Sequence, residues 1–392
     1  MCAAAAVVRV TWRRDSDVQE GRGAMKGKAA VTREGVRGMA ITQYEVPEPG
    51  PDEVLVQVTM ASLCGSDLHM WRGEVPWFQK APGIQGHEMC GRVAKLGARR
   101  KADSLGRPLR DGDRVAYAYF IPCGECWACL GGTSGCPNRY RTRNTLTADD
   151  PPHFLGAFAE YYLLKATQWV FKVPDGLPDE LVAPVNCALS QVVYGLQQIG
   201  VWLGDTVVVQ GAGGLGIYAC GVAKDMGAGR VIVIDAIPER LALARQFGAD
   251  EVIDFKQIPE KADRVRRVRE LTGGFGADVV VEVAGIAGVV QEGLEMTRVG
   301  GRYLWMGNIV PGVAAEIVPH DAVRQPKTIR GVLAYDRWVI PRALDWVSRT
   351  REKYPFAKLV GARFPLEQIN EAFEQAEWVA GKGSVARTVI VP

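Results

Sequence analysis

The first half of the chain shows short apolar stretches interrupted by turn-forming residues. Residues 54–58 follow a turn at 49–52 that contains proline and glycine, and residues 113–117 follow an Asp-Gly pair. Short apolar runs bounded by glycine, proline and aspartate are typical of β-strands joined by turns. From residue 25 to about residue 170 the pattern predicts an all-β, barrel-like domain with long loops.

The pattern changes near residue 205, where fully apolar strands begin to alternate with helices. Residues 206–210 are a Thr-Val run before a glycine cluster, and residues 217–226 form a helical segment. Such alternation predicts a parallel, doubly wound sheet with helices on both faces. Further strands are predicted at 230–234, 251–253, 278–282, 302–306 and 386–391, and helices at 238–247, 340–349 and 365–376.

Length and composition narrow the class of protein. The 392 residues exceed one ordinary hydrophobic core, which predicts two domains. The composition, with 47% hydrophobic and 23% charged residues, is globular, and the formal charge of +3 gives no reason to expect a nucleic-acid partner. No apolar run reaches the roughly 18 residues of a membrane span, so no membrane partner is expected.

Residues 1–24 precede the first folded-looking pattern and are predicted to be a disordered extension, or the product of an upstream start codon wrongly included. A transit peptide is the alternative, but Asp15, Asp17 and Glu20 argue against it. The nine cysteines are an odd number without a secretory signal, which argues against a disulfide framework. The expected compartment is therefore the cytoplasm.

Four cysteines lie close together in the β-rich region, at Cys123, Cys126, Cys129 and Cys136. Four thiolates at this spacing can close a tetrahedral zinc site with no open position, which predicts a structural role. A redox role for Cys126 and Cys129 is the alternative. The near-neutral charge of the chain argues against a zinc knuckle that binds nucleic acid.

A phosphate-binding motif follows the strand at 206–210. The G-x-G-x-x-G sequence opens a helix and contributes Gly211, Gly213, Gly214, Leu215 and Gly216 as candidate cofactor contacts. Its glycines permit a tight turn, close approach to a pyrophosphate and close packing of helix on strand. The free N–H groups of the helix N-terminus then bind the phosphates.

Asp235 lies at the end of the next strand, 19 residues past Gly216. A carboxylate in this position accepts hydrogen bonds from ribose hydroxyls and repels a 2′-phosphate, so NAD is predicted rather than NADP. Arg240, the nearest following arginine, is a further candidate contact. Capping of the next helix is the alternative role of Asp235.

A dispersed set of ligand-type residues, Cys64, His87 and Cys187, occupies loop-like positions. Together with a nicotinamide site, these residues are typical of a catalytic zinc with one open position. Cys90 and Cys220 are interpreted as small buried side chains without a function.

These motifs together resemble the zinc-dependent alcohol dehydrogenases of the medium-chain dehydrogenase/reductase superfamily, from about residue 25 to residue 392. Six motifs carry the resemblance in family order. They are C-G-S-D-x-H at 64–69, G-H-E-x-x-G at 86–91, the cysteines at 123–136, G-A-F-A-E-Y at 156–161, A-P-V-N-C at 183–187 and the glycine motif at 211–216.

The resemblance implies an α/β protein in which a Rossmann NAD-binding domain at 189–331 interrupts a GroES-like β-barrel catalytic domain at 25–188 and 332–392. It also implies a homodimer or homotetramer. Three departures from the family pattern are present. The spacing from Cys129 to Cys136 is one residue short, the loop at 98–110 is long, and Cys187 stands where many polyol-oxidising relatives carry glutamate.

The resemblance assigns roles to individual residues. Cys64, His87 and Cys187 would bind the catalytic zinc, with Glu88 just behind the metal and Asp67 a carboxylate near the ligands. Ser66 would contact the substrate oxygen, and His69 would be the distal member of a proton relay. For Ser66 a helix N-cap is the alternative, and for His69 a solvated or core imidazole.

The implied reaction is hydride transfer between an alcohol and NAD, giving a ketone or aldehyde, with zinc as Lewis acid. A secondary or cyclic alcohol is the favoured substrate. Trp71, Trp77 and Phe78 are candidates for its pocket, with a plain packing role as the alternative. The basic run at 139–143 is interpreted as a solvated loop, with anionic-substrate binding as the alternative. A carbonyl reductase working in reverse and a catalytically idle scaffold are the competing functions.

Overall fold

The structure is a computed structural model that describes residues 25–77, 79–131, 135–307, 310–381 and 386–392. The predicted extension at 1–24 and the pocket candidate Phe78 lie outside the described residues. Within the described ranges, no helix is both long enough and apolar enough to cross a membrane.

The strands of the described residues, numbered in chain order, form three sheets. They are β1 (Lys26–Thr32), β2 (Met39–Glu45), β3 (Val54–Ser62), β4 (Gly83–Ile84), β5 (Glu88–Leu96), β6 (Arg114–Tyr117), β7 (Tyr161–Leu164), β8 (Val170–Lys172), β9 (Thr206–Gln210), β10 (Arg230–Asp235), β11 (Glu251–Asp254), β12 (Ala277–Glu282), β13 (Thr297–Trp305), β14 (Thr328–Gly331), β15 (Val360–Pro365) and β16 (Arg387–Val391).

The α-helices are numbered in the same way. They are α1 (Gly65–Trp71), α2 (Trp127–Leu130), α3 (Arg141–Thr145), α4 (Asp179–Val182), α5 (Ala188–Ile199), α6 (Gly214–Asp225), α7 (Pro238–Gln246), α8 (Lys261–Leu271), α9 (Gly288–Met296), α10 (Pro319–Arg324), α11 (Val339–Thr350) and α12 (Ile369–Gly381).

The β-rich half is built around β3, which is buried at most positions. This strand pairs antiparallel with β5, β7 and β16, so the last strand of the chain completes a sheet begun near its start. The small sheet β2-β1-β4 packs beside it. The predicted β-rich domain is confirmed, and the C-terminal segment returns to it.

The second half forms a six-stranded sheet in the order β11-β10-β9-β12-β13-β14 with parallel pairing throughout. Val207, Val208 and Val209 in its central strand are fully buried, because helices cover both faces of the sheet. The predicted doubly wound sheet is confirmed. The strand order reverses between β9 and β12, and in such sheets the ligand crevice lies at this reversal.

Two predicted helices have different starts in the structure. Helix α6 begins at Gly214 rather than at residue 217, because the glycines of the motif form its first turn. The segment predicted as one helix at 365–376 is divided: β15 ends at Pro365, a 3-10 turn spans Leu366–Gln368, and α12 begins at Ile369. The loop at 98–110 lies between β5 and β6, as predicted.

Candidate active site and zinc centres

Three elements that are distant in sequence bring the dispersed ligand set together. Cys64 follows β3, His87 precedes β5, and Cys187 precedes α5. The two sulfur atoms, one ring nitrogen of His87 and one carboxylate oxygen of Glu88 all lie within 4.8 Å of one another. All four residues are buried. Two sulfurs and an imidazole nitrogen are the donors that a catalytic zinc with an open position takes, so the donor set fits that ion.

The thiol of Cys64 has a lowered pKa. The pKa lies well below its ordinary value because Cys187 hydrogen-bonds to the sulfur and because His87 lies beside it, although burial acts in the opposite direction. The thiolate is the form of cysteine that binds a metal ion. The electrostatics of the ligand group therefore agree with the zinc fit.

Glu88 has one satisfied and one unsatisfied carboxylate oxygen. Oε2 accepts a hydrogen bond of 2.8 Å from the hydroxyl of Ser62 and another from the guanidinium of Arg387. Oε1 is buried and has no hydrogen-bond partner among the described residues. Burial raises the pKa of Glu88 to about 8, although Arg387 opposes the shift. A carboxylate oxygen left without a partner inside a ligand group supports the presence of a cation there.

Asp67 contacts two members of the ligand set. One of its oxygens lies 3.2 Å from Nδ1 of His87, and the other accepts a hydrogen bond of 2.9 Å from the backbone N–H of Cys64. The predicted position of this carboxylate, beside the ligands, is the position that the structure gives it.

The two predicted relay residues line one cleft. The hydroxyl of Ser66 lies 3.3 Å from Nε2 of His87, so it is at the ligand group itself. The N-cap of α1 is Cys64, which removes the N-cap alternative for Ser66. His69 lies one turn further on, half-exposed, with its Nδ1 hydrogen-bonded to the carboxylate of Glu74. This order from the candidate metal ligands to solvent suits a proton path.

The cleft has a volume of about 470 Å³ and lies between the two large sheets. Apolar parts of its wall are formed by Leu68, Val75, Pro76 and Leu333. Tyr119 and Tyr140 also line it, and neither belongs to a motif that marks it as a pocket residue. Trp71 and Trp77 are not among the lining residues. Trp71 instead stacks on Phe373 at 4.7 Å, so the predicted pocket role is wrong for Trp71 and the plain packing role is correct.

The four-cysteine segment also converges. Sulfur atoms of Cys123, Cys126, Cys129 and Cys136 lie within 4.8 Å of one another. The sulfur of Cys123 is 3.9 Å from that of Cys129 and 3.7 Å from that of Cys136, distances of a ligand cage and not of a disulfide. The pKa of Cys123 is lowered to about 6, chiefly by the backbone N–H of Glu125 and by Asn138. The shortened spacing before Cys136 does not prevent closure, and the donor set fits a structural zinc.

The glycine motif has the backbone that a dinucleotide requires. Gly211 has φ +100°, a left-handed conformation that favours glycine. A Cβ atom on Gly216 would lie 1.9 Å from the carbonyl oxygen of Gly211, so only glycine fits there. Gly213, Gly214 and Leu215 line the cleft at the start of α6.

Asp235 lies at the end of β10, where it was predicted. Its carboxylate accepts hydrogen bonds from the backbone N–H groups of Ala212, at 2.7 Å, and of Ile237, at 3.0 Å. The first of these bonds joins the acidic residue to the glycine motif. Arg240 lines the cleft, with Nη1 4.0 Å from the Asp235 carboxylate.

The interpretation of the basic run at 139–143 as a solvated loop is wrong for Arg143. This side chain is fully buried and donates hydrogen bonds to backbone carbonyl groups. One arginine among several in a basic run gives no sequence signal that it is buried. Arg387 was also missed, because its partner Glu88 is 299 positions away in the chain.

Comparison with known families gives two matches. The family described as "Alcohol dehydrogenase GroES-like domain" matches residues 50–175, and the family described as "Zinc-binding dehydrogenase" matches residues 214–349. The first match covers the segments that carry Cys64 and His87, and the second covers the glycine motif from Gly214 onward.

Individual relatives match over most of their length. The chain is 34% identical over 338 residues to 5-exo-hydroxycamphor dehydrogenase of Pseudomonas putida, covering 85% of this chain and 92% of the relative. It is 32% identical over 341 residues to sorbitol dehydrogenase of Ovis aries, covering 86% and 90%. The crystal structure of an alcohol dehydrogenase from Thermotoga maritima superposes with a TM-score of 0.86 at 29% identity, covering 94% and 100%.

Proposed function

Because this chain belongs to the zinc-dependent alcohol dehydrogenases of the medium-chain dehydrogenase/reductase superfamily, we propose that it oxidises an uncharged secondary or cyclic alcohol in the cleft beside Ser66. Family membership makes the chain a zinc-dependent, NAD-linked oxidoreductase that acts on a small alcohol. The proposal concerns the substrate and the residues that perform the reaction.

The residues that would hold the two zinc ions are the two convergent ligand groups. Cys64, His87 and Cys187 would hold the catalytic ion, and the four cysteines of the 123–136 segment would hold the structural ion. When bound, the catalytic ion supplies a Lewis acid toward the substrate oxygen, and the oxidised nicotinamide accepts the hydride. The glycine motif, Asp235 and Arg240 would bind the dinucleotide.

The chain's own residues would move the hydroxyl proton. The hydroxyl of Ser66 is at the ligand group and can accept a proton from the substrate oxygen while passing its own outward. His69 is half-exposed and is hydrogen-bonded to Glu74, so its ring can exchange a proton with water. The observation that carries this assignment is the 3.3 Å separation of the Ser66 hydroxyl from the His87 ring.

The cleft wall supports an uncharged substrate. Leu68, Val75, Pro76 and Leu333 present apolar surface. Among the described lining residues, the arginines are Arg240, at the cofactor side, and Arg387, which is bound to Glu88. A zwitterionic alcohol would therefore lack charged partners on this wall, and a polyol with several hydroxyl groups would place some of them against its apolar part. The relative named for a hydroxycamphor agrees with a cyclic substrate.

We propose the same domain division that the resemblance implies. The Rossmann domain at 189–331 would contain the six-stranded sheet and end with β14, and the catalytic domain would consist of 25–188 and 332–392. The return of β15 and β16 to the β3 sheet supports this division. A homodimer or homotetramer and a cytoplasmic location are also proposed.

A substrate screen tests the proposal. Reduction of NAD would be followed with cyclohexanol, 2-butanol, ethanol, sorbitol and L-threonine, alongside zinc analysis of the purified chain. We expect about two zinc ions per chain, and a kcat/KM for cyclohexanol roughly tenfold or more above that for ethanol, since buried methylenes give such ratios. A higher kcat/KM for sorbitol or L-threonine would show that the substrate proposal is wrong, and failure of every alcohol would overturn the proposed activity.

A further inference from the structure

The Arg143 side chain is a buried cation that joins two segments of the chain. Its Nε donates a hydrogen bond of 2.8 Å to the carbonyl oxygen of Leu155, and its Nη2 donates one of 3.1 Å to the carbonyl oxygen of Gly86. The residue is fully buried. Burial of a guanidinium is costly unless its N–H groups are hydrogen-bonded, so these bonds are specific requirements of the site.

The Gly86 carbonyl belongs to the peptide plane that carries His87. A peptide bond is planar, so the oxygen of one residue and the nitrogen and Cα of the next move together. Gly86 has φ +85°, and a Cβ atom there would lie 2.9 Å from the ring of Phe158. The Phe158 ring thus confines the turn at Gly86 on one side, and the Arg143 guanidinium binds the Gly86 carbonyl oxygen.

The segment that carries Leu155 is closely joined to the same turn. The backbone N–H of Phe158 donates to the carbonyl of Gln85 at 3.0 Å, and that of Ala157 donates to the carbonyl of Gly86 at 3.3 Å. Arg143 therefore binds both sides of a contact between two backbone segments. Its own helix, α3, has Tyr140 at the N-cap, and Tyr140 lines the cleft.

From this geometry we propose that Arg143 is a positioning residue: it fixes the Gly86–His87 peptide plane, and so the His87 imidazole, in the orientation that binds the catalytic zinc. It acts through Gly86 and contacts neither substrate nor cofactor. The inference rests on the proposed role of His87 as a zinc ligand. Asp67 holds the His87 ring from the side-chain end, and Arg143 holds the backbone end.

Arg143→Met tests the proposal, since it keeps an unbranched side chain at this buried position and removes every side-chain donor. Arg141→Met is the matched control, because Arg141 is on the same helix but its side chain is exposed. The readout is the transfer of zinc from the full-length holoenzyme to a chromogenic chelator, measured without substrate. In Arg143→Met, we expect one of the two zinc ions to bind about 10–100-fold more weakly. This is the range found when residues that hydrogen-bond to metal ligands are replaced. Arg141→Met should bind both zinc ions as the original chain does.

A rescue experiment separates positioning from general stability. Arg143→Ala leaves a buried space of guanidinium shape, so millimolar guanidinium chloride is expected to restore chelator resistance and kcat, while the same concentration of sodium chloride restores neither. KM for NAD is expected to stay within about twofold, because the glycine motif is not involved.

Each contrary outcome has a defined meaning. If Arg143→Met retains both zinc ions with unchanged chelator resistance, the positioning role is wrong. If Arg143→Met and Arg143→Lys both fail to fold, Arg143 serves the whole fold and the proposal is also wrong. If His87→Ala itself keeps two tightly held zinc ions, the proposed catalytic centre fails, and that result is distinguishable because it does not involve Arg143.

Discussion

Nδ1 of His87 lies 3.2 Å from a carboxylate oxygen of Asp67, and both side chains are buried. The other oxygen of Asp67 binds the backbone N–H of Cys64, so one carboxylate contacts the ring of one proposed zinc ligand and the backbone of another. A carboxylate at the far nitrogen of a ligating imidazole fixes the tautomer and the ring orientation.

This relationship predicts that Asp67→Asn weakens binding of the catalytic zinc 10–100-fold and lowers kcat, because the amide removes the charge that holds the imidazole. Zinc content after dialysis against a chelator measures the effect. The control is Asp103→Asn, another buried carboxylate, whose partners Leu105 and Arg107 lie within the 98–110 loop. Equal zinc retention in the two variants would contradict the prediction.

The four-cysteine segment is predicted to support stability and not chemistry. Cys126→Ala removes one of four converging sulfurs, so the structural zinc should be lost. For a missing metal site we expect the free energy of unfolding to fall by on the order of 3 kcal/mol. The melting temperature should then fall by about 5–10 °C. Calorimetry and zinc analysis measure both effects, while chain that remains folded at 20 °C should keep its KM.

The control for that experiment is Cys220→Ala. Cys220 is a fully buried cysteine in α6 that belongs to neither ligand group, and its thiol donates a hydrogen bond to the Gly216 carbonyl. This variant should keep two zinc ions. A Cys126→Ala protein with two zinc ions and an unchanged melting temperature would refute the structural-zinc assignment.

The local sequence predicts much of this fold, because short-range signals determine it. The glycine motif, Asp235 at a strand end and the cysteine spacing each depend on a few neighbouring residues. By contrast, Arg387 and Arg143 act on residues 299 and 57 positions away, and such contacts exist only after the sheets assemble. The sequence left the pocket and packing roles of Trp71 open for the same reason, since its partner Phe373 belongs to a helix near the end of the chain.

Cofactor choice is predicted to depend on Asp235. Asp235→Ser removes the carboxylate that would bind the ribose hydroxyls and repel a 2′-phosphate, and Arg240 lies beside the same position. KM for NAD should rise roughly tenfold or more, and KM for NADP should fall. The measurement is steady-state kinetics with both cofactors on one alcohol.

Two features make this test specific. The Asp235 carboxylate also accepts a hydrogen bond from the N–H of Ala212. The shorter serine side chain would lose this bond, which would loosen the glycine motif and weaken the binding of both NAD and NADP. The double variant Asp235→Ser with Arg240→Ala separates these effects, since it should lose the gain in NADP binding but not the loss in NAD binding. An unchanged NAD preference in Asp235→Ser would contradict the assignment.

Tyr140 is predicted to discriminate among substrates. It lines the cleft, and its hydroxyl is hydrogen-bonded to that of Tyr119, which is almost fully buried. Burial, followed by the neighbouring Tyr140, raises the pKa of Tyr119 well above its ordinary value, so this phenol stays protonated. Tyr140 would therefore offer a hydroxyl group beside the apolar part of the wall, where it can bind a second oxygen of the substrate.

Tyr140→Phe should leave kcat/KM for cyclohexanol within about twofold, because the apolar wall is preserved. For a cyclic alcohol with a second oxygen, such as a cyclohexanediol, kcat/KM should fall roughly 3–10-fold, the worth of one hydrogen bond. Tyr119→Phe is the control, because it removes the buried hydroxyl group but leaves that of Tyr140. Its ratio of kcat/KM for the cyclohexanediol to kcat/KM for cyclohexanol should therefore stay nearer that of the original chain. If Tyr140→Phe lowers kcat/KM equally for both alcohols, the hydroxyl does not contact substrate and Tyr140 serves only to shape the wall.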